Sequence, residues 1–183
     1  MQVKENGKQE IEEKFLEMSE YLRMNYLENC LKSGLDFETR KFVLVKLCGL
    51  YESKKMFVDA GKMMLSATEI NTTYQGKIND FMKANELFIK GADYKTAENT
   101  SARVLALGNN EQKKEIKKIV KEQYKTQARY YLSCDKRKKA MEIYEILLTL
   151  GLDESEKKEV KDRLGELYRS LGMGREFDRL KNK

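Results

Sequence analysis

The sequence predicts an all-α fold built from about nine antiparallel helices joined by short turns. Composition is the first reason: the 183 residues contain no proline, and 36% of them are charged. Lys, Glu and Leu are all abundant, and these residues favour helices. The second reason is that no segment alternates β-branched and polar residues over the length of a strand. The third is an internal repeat of the length of a helical hairpin.

Four aromatic residues mark this repeat. In three places a small residue follows the aromatic nine positions later, and in the fourth a second aromatic takes its place. The pairs are Tyr51/Ala60, Phe88/Ala97, Tyr131/Ala140 and Tyr168/Phe177. Offsets of 37, 43 and 37 residues between the pairs are typical of stacked helical hairpins, because a single hairpin cannot bury its apolar face alone.

Glycines and N-capping residues divide the chain into the individual helices. Asn109 with Gln112, and Asp153 with Glu156, have the spacing of a capping box, in which two residues satisfy each other's backbone N–H groups. Asp135 is placed to cap the helix between them. The predicted helices cover residues 9–33, 36–53, 56–70, 74–90, 93–107, 109–133, 136–150, 153–171 and 175–181.

The packing residues of the repeat resemble the signature of the tetratricopeptide repeat (TPR) family, in which small residues at helix crossings alternate with large ones. The matching residues are Leu44, Leu47, Cys48, Tyr51, Phe57, Ala60, Met64 and Ala67 in the first unit; Phe81, Ala84, Asn85, Phe88, Tyr94, Ala97, Ser101 and Val104 in the second; Tyr124, Gln127, Ala128, Tyr131, Arg137, Ala140, Tyr144 and Leu147 in the third; and Leu164, Gly165 and Tyr168 in a partial fourth.

The resemblance implies a single domain over residues 1–183 that folds as a right-handed α-α superhelix, a TPR-like solenoid. Residues 9–34 would form an N-terminal capping helix. Residues 36–72, 74–108 and 110–151 would form repeat hairpins, and 153–183 a degenerate C-terminal repeat. The offsets in this chain exceed the family period of about 34 residues. Helical-hairpin solenoids with longer repeats, such as the soluble membrane-fusion attachment proteins, are therefore an alternative.

The residue types present argue against catalysis, a metal site or a bound cofactor. The chain has no histidine, which removes the usual partner of a Ser or Cys nucleophile and the commonest general base at neutral pH. Cys30, Cys48 and Cys134 are too few for a four-cysteine zinc site, and their odd number favours a reducing compartment. The amino terminus lacks the apolar stretch of a signal peptide, and no apolar run is long enough for membrane insertion. A cytoplasmic protein is expected.

The TPR resemblance also implies where a partner would bind. In that family the first helix of each hairpin lines a concave groove, which accepts an extended peptide or an amphipathic helix. The groove residues expected in this chain are Val45, Glu52, Met82, Glu86, Ile89, Lys125, Arg129 and Glu166. The leading hypothesis is a non-catalytic protein–protein interaction scaffold that binds a peptide or helix in this groove.

A basic stripe in the second half of the chain supports an alternative hypothesis. Residues 1–102 carry 15 basic and 16 acidic side chains, whereas residues 103–183 carry 21 and 14. The stripe consists of Lys113, Lys117, Lys121, Lys125, Lys136, Arg137, Lys138 and Lys139. Such a patch is either a solvated helix face or a surface that binds phosphates. The alternative is therefore a nucleic-acid-binding helical-repeat protein. Self-association through an open end of the stack is a third hypothesis, suggested by the weak fourth unit.

Overall fold

The computed structural model describes residues 4–181, in which ten helices and no strands are found. This confirms the all-α prediction. The helices are α1 (Lys8–Glu17), α2 (Glu20–Cys30), α3 (Phe37–Ser53), α4 (Phe57–Ile70), α5 (Tyr74–Lys90), α6 (Tyr94–Leu107), α7 (Asn110–Ser133), α8 (Arg137–Leu147), α9 (Glu154–Ser170) and α10 (Gly174–Lys181).

The chain divides into two compact units. Unit 1 covers residues 1–108 and contains α1–α6, and unit 2 covers residues 109–183 and contains α7–α10. Within each unit the main packing is between helices that follow each other in sequence, from α2 to α6 and from α7 to α10. The prediction of a single domain over residues 1–183 includes residues 1–3 and 182–183, which lie outside the described part of the chain. The single domain therefore stays a prediction.

The predicted capping helix over residues 9–34 is wrong, because two helices occupy this segment. Met18 and Ser19 have extended backbone between α1 and α2. The guanidinium of Arg23 compensates for the break: its Nε donates to the carbonyl oxygens of Phe15 and Met18, each at 3.1 Å. One side chain from the second helix thus donates to the Met18 carbonyl and adds a second donor to the Phe15 carbonyl, which also accepts from the Met18 N–H at 3.4 Å.

Four turns of the chain share one backbone geometry, and the four repeat aromatics all lie at it. The carbonyl oxygen of each aromatic accepts a hydrogen bond from the N–H five residues later, at 2.8–2.9 Å. The residue before that donor has positive φ in every case, which makes the turn a Schellman motif. The aromatics are Tyr51, Phe88, Tyr131 and Tyr168, and the positive-φ residues are Lys55, Ala92, Asp135 and Gly172.

This turn explains the nine-residue spacing of the sequence repeat, because it fixes how far the next helix begins from the aromatic. It also corrects one prediction. Asp135 does not cap α8, because it is itself the positive-φ residue of the third turn. The N-cap of α8 is Lys136, which makes no capping hydrogen bond with its side chain. The two predicted capping boxes, which begin at Asn109 and Asp153, are both present.

Small residues bring helices close together in the core of each unit. In unit 1 Ala60 and Ala97 are fully buried, and a Cβ added to Gly61 of α4 would lie 2.8 Å from Cε1 of Phe88 in α5. In unit 2 a Cβ added to Gly165 of α9 would lie 3.2 Å from the Phe177 ring in α10. At both positions a side chain larger than hydrogen would meet an aromatic ring of the next helix.

Candidate partner-binding surfaces

The outward face of α3 is the most open apolar surface among the predicted groove residues of unit 1. Val45 is 43% exposed. Gly49, one turn later, is exposed, and apart from its chain neighbours and the backbone of its own helix no atom lies within 4 Å of the position a Cβ would occupy. Phe42 borders them, with Nζ of Lys46 5.3 Å from its ring centroid. We call Phe42, Val45 and Gly49 the α3 strip.

Ion pairs border the α3 strip on both sides. Towards α1, Nζ of Lys46 donates to Oε1 of Glu12 at 2.9 Å. Towards α5, Glu52 accepts from Lys83 at 3.0 Å and from Lys90 at 3.2 Å. The strip is therefore a narrow apolar surface between two rows of charges whose members already have partners.

The two carboxylates predicted for the groove in this unit belong to one network. Nζ of Lys90 lies 2.5 Å from Oε1 of Glu86, and Nζ of Lys83 lies 3.6 Å from Oε2 of the same carboxylate. Burial acts to raise the pKa of Glu52, but the hydrogen bonds from Lys83 and Lys90 outweigh it, and the pKa is lowered. Glu52 and Glu86 are thus both paired with lysines of the same unit, so they form a border of the strip and offer no unpaired carboxylate to a partner.

The prediction that Met82 and Ile89 line the groove is wrong, because both side chains are buried. Met82 is 8% exposed and Ile89 is 1% exposed. Successive residues of a helix point about 100° apart, so a shift of one position moves a side chain from the surface to the core. Lys83 and Lys90 take the surface positions, and the apolar side chains beside them pack inward.

Unit 2 contains the remaining predicted groove residues, and they differ in how accessible they are to a partner. Arg129 and Glu166 are exposed. Their ion pairs, to Glu122 at 3.5 Å and to Arg163 at 3.2 Å, lie at the surface, where such pairs contribute little. Lys125 is mostly buried and lies 3.1 Å from Oε1 of Glu156. Lys125 therefore belongs to the packing between α7 and α9.

Glu156 has a second role that the sequence did not reveal, in addition to the capping box. It closes the predicted capping box of α9, accepting from the backbone N–H of Asp153 at 3.2 Å. It also accepts from Nζ of Lys121 at 2.5 Å and from Nζ of Lys125 at 3.1 Å. The hydrogen bond from Lys121 is the largest cause that lowers the pKa of Glu156 from 4.5 to about 2. Residues 31 and 35 positions apart in the sequence are not neighbours on one helix, where pairs form three or four positions apart. No local signal could therefore have identified these two pairs.

Acid titration of Glu156 should be visible in the stability of the chain. Because its folded-state pKa lies below the ordinary value of 4.5, the carboxylate stabilises the native state above about pH 4.5, and this contribution is lost as the pH falls towards about 2. We expect Glu156→Gln to lower the free energy of unfolding at pH 7 by on the order of 2 kcal/mol. The difference from the wild type should shrink across that pH range in urea denaturation series.

The matched control is Asp162→Asn, which removes an exposed carboxylate from the same helix. This variant should follow the wild-type pH dependence to within about 0.5 kcal/mol. Equal acid sensitivity of the wild type and Glu156→Gln would show that the Lys121–Glu156–Lys125 cluster does not stabilise unit 2.

The basic stripe is not one continuous surface. Lys121 and Lys125 are bound to Glu156. Lys113 and the start of α8 lie near opposite ends of the 24-residue helix α7, roughly 30 Å apart at 1.5 Å per residue. The remaining cations of the stripe form two separate groups. The first is Lys113 with Lys117, and the second is Lys136, Arg137, Lys138 and Lys139. Nucleic-acid binding stays an alternative that would have to use these separated groups, and self-association stays a prediction.

The described residues hold no cluster that points to other chemistry. Residues 4–181 contain no group of three Cys, Asp or Glu side chains arranged to hold a metal ion. Burial raises the pKa of the Cys48 thiol to about 11, so this cysteine stays protonated near neutral pH. None of the helices within residues 4–181 combines the length and apolar character needed to cross a membrane. In comparisons with known proteins, no family model matches the sequence and no curated protein shows significant similarity.

Proposed function

We propose that this chain is a non-catalytic helical-repeat scaffold, and that the α3 strip of unit 1 binds a peptide or helix of a partner protein. The hairpins would stack as a right-handed α-α superhelix of the TPR-like kind, with its partner face on the first helix of each hairpin. The four equivalent Schellman turns support this arrangement, since they place the repeat aromatics in the same local geometry.

Gly49 is the observation that carries the proposal. A glycine inside a helix costs about 1 kcal/mol relative to alanine. At Gly61 the core requires that cost, because a Cβ would meet the Phe88 ring. At Gly49 nothing in the fold requires it, since no atom lies within 4 Å of the Cβ position. A glycine that its own fold does not need is explained by the close approach of another chain.

The surroundings of Gly49 define the chemistry of the partner. Val45 and Phe42 offer apolar surface, and the bordering carboxylates of Glu12 and Glu52 are already paired with lysines. Nζ of Lys8 lies 5.2 Å from the centroid of the Phe42 ring and adds one cation at the edge of the strip. The ligand should therefore present a small apolar segment, flanked by polar groups that can hydrogen-bond at the borders. An extended peptide or one face of an amphipathic helix meets this description.

Site-specific photo-crosslinking in cell lysate tests the proposal. A photoreactive residue at Val45 should capture a discrete partner, and the same residue at Ser66, exposed on α4, should not. Gly49→Glu should then reduce binding of that partner by at least about tenfold, because it places a charged side chain in the strip. Affinity is measured with the purified partner by calorimetry.

Ser66→Glu is the matched control, since it adds the same charge to an exposed position of the same unit. It should leave the affinity unchanged, and both variants should unfold at wild-type denaturant concentration or above. If Gly49→Glu binds the crosslinked partner as tightly as the wild type does, the α3 strip is not the binding surface. If neither position captures a discrete partner, the scaffold function itself is contradicted.

A further inference from the structure

A groove of about 510 Å³ lies in unit 2, between α8, α9 and α10, and shares no residue with the predicted partner-binding positions. Its apolar lining comes from all three helices and includes Leu148 at the end of α8, Leu164 of α9 and Leu180 of α10. The volume is in the range typical of sites for small molecules. The groove is half-open, so a ligand could enter without any movement of the helices.

Three cations line the same groove. Lys157 and Lys161 lie one turn apart on α9, and Arg179 approaches from α10. None of the three forms an ion pair within 4 Å with an acidic side chain among residues 4–181. This is unlike Lys121 and Lys125, which are both bound to Glu156 in the same unit. The groove therefore combines an apolar lining with cations that lack an acidic partner.

Two acidic residues also line the groove, and neither forms an ion pair with these cations. Glu145 of α8 accepts a hydrogen bond from the hydroxyl of Tyr168 at 2.7 Å. Glu176 lies on α10, three residues before Arg179, and the two side chains form no ion pair. The lining keeps a net charge of +1, from three cations and two acids.

We propose that this groove binds a small amphiphilic anion, with its carboxylate or phosphate head among Lys157, Lys161 and Arg179 and its apolar chain along Leu148 and Leu180. A chain of roughly eight to ten carbons fits a groove of this size. Neither part of the ligand would suffice alone. Exposed lysines hold a simple anion weakly in water, and each buried methylene adds about 0.8 kcal/mol to binding, so head and chain must act together.

The test is a titration of the ¹⁵N-labelled full chain, followed by amide chemical shifts. The amphiphilic probes are decanoate and decyl phosphate. Acetate and inorganic phosphate carry the head without the chain, and decyltrimethylammonium carries the chain with the opposite charge. At least one decyl anion should shift amides of α8–α10 saturably, and the three control compounds should not at equal concentration. A lower dissociation constant for decanoate or for decyl phosphate identifies the preferred head.

Charge-reversal variants of the groove lysines and arginine provide a second test of the proposal. Lys161→Glu should raise the dissociation constant about fivefold to thirtyfold, and Lys157→Glu with Arg179→Glu is an independent variant that leaves Lys161 in place. Lys158→Glu is the matched control, because Lys158 is exposed on the same helix and does not line the groove. It should bind as the wild type does.

Equal binding of decyltrimethylammonium and decanoate would overturn the proposal, since adsorption to apolar surface would then explain the shifts. Equal weakening by Lys158→Glu and Lys161→Glu would also overturn it, since net charge alone would then be responsible. The α3 strip has no role in these measurements, so their outcome is independent of the proposed scaffold function.

Discussion

Phe88→Ala should lower the free energy of unfolding by about 3–5 kcal/mol, because it removes a large buried ring from the core of unit 1. Phe88 is 1% exposed in α5, and its ring lies against the backbone of Gly61 in α4. Removing the ring leaves a cavity that α4 and α5 cannot close, because the Schellman turn that follows Phe88 fixes the end of α5. Domains are stable by only about 5–15 kcal/mol, so this variant should lie close to unfolding.

Urea denaturation followed by circular dichroism measures this loss. The matched control is Phe37→Ala, since Phe37 is 78% exposed at the start of α3 in the same unit. Its loss should stay below about 0.5 kcal/mol. A loss under about 1 kcal/mol for Phe88→Ala, or equal losses for the two variants, would contradict the close packing of α4 on α5.

Gly→Ala substitutions at two positions of unit 1 should change the stability of the chain in opposite directions. At Gly61 the new Cβ would lie 2.8 Å from Cε1 and 3.0 Å from Cζ of a ring that is buried and cannot move aside. Overpacking of this kind costs about 1–3 kcal/mol and should outweigh the gain in helix propensity. At Gly49 nothing lies within 4 Å, so alanine should stabilise the chain by up to about 1 kcal/mol.

A double-mutant cycle identifies the cause of the Gly61 effect. In a Phe88→Leu background the Gly61→Ala substitution should cost less than it does in the wild type, because the smaller side chain leaves room for the methyl group. Additive losses in the cycle would show that Gly61 and Phe88 are not in contact. Destabilisation by Gly49→Ala would show that the fold itself needs that glycine, and this would remove the main support for the α3 strip.

Local signals in the sequence were enough to predict most of the helices and their ends. The capping boxes at Asn109 and Asp153 are present as predicted, because a capping box involves only residues three apart in the chain. The aromatic repeat likewise corresponds to four equal turns. The break at Met18–Ser19 escaped prediction, because it depends on Arg23 reaching back to carbonyl groups of the preceding helix. No glycine or proline marks that position.

The candidate sites depend on contacts that local signals do not encode. The repeat template predicts that Glu52 and Lys125 face a partner. Glu52 instead bonds to lysines 31 and 38 residues later in the chain, and Lys125 to a glutamate 31 residues later. The same template predicts a surface position for Met82, and a rotation of about 100° per residue places it in the core.

The sequence by itself determined an all-helical chain, the ends of most of its helices and the positions of its four repeat turns, because each of these depends on residues within about nine positions of one another. Only the tertiary structure decided which charges remain available and which small residues the core requires. Gly49 and Gly61 are the same residue in the sequence, and Lys121 and Lys161 are both lysines on amphipathic helices. The neighbours that distinguish them come from other helices: the Phe88 ring meets Gly61, and Glu156 binds Lys121.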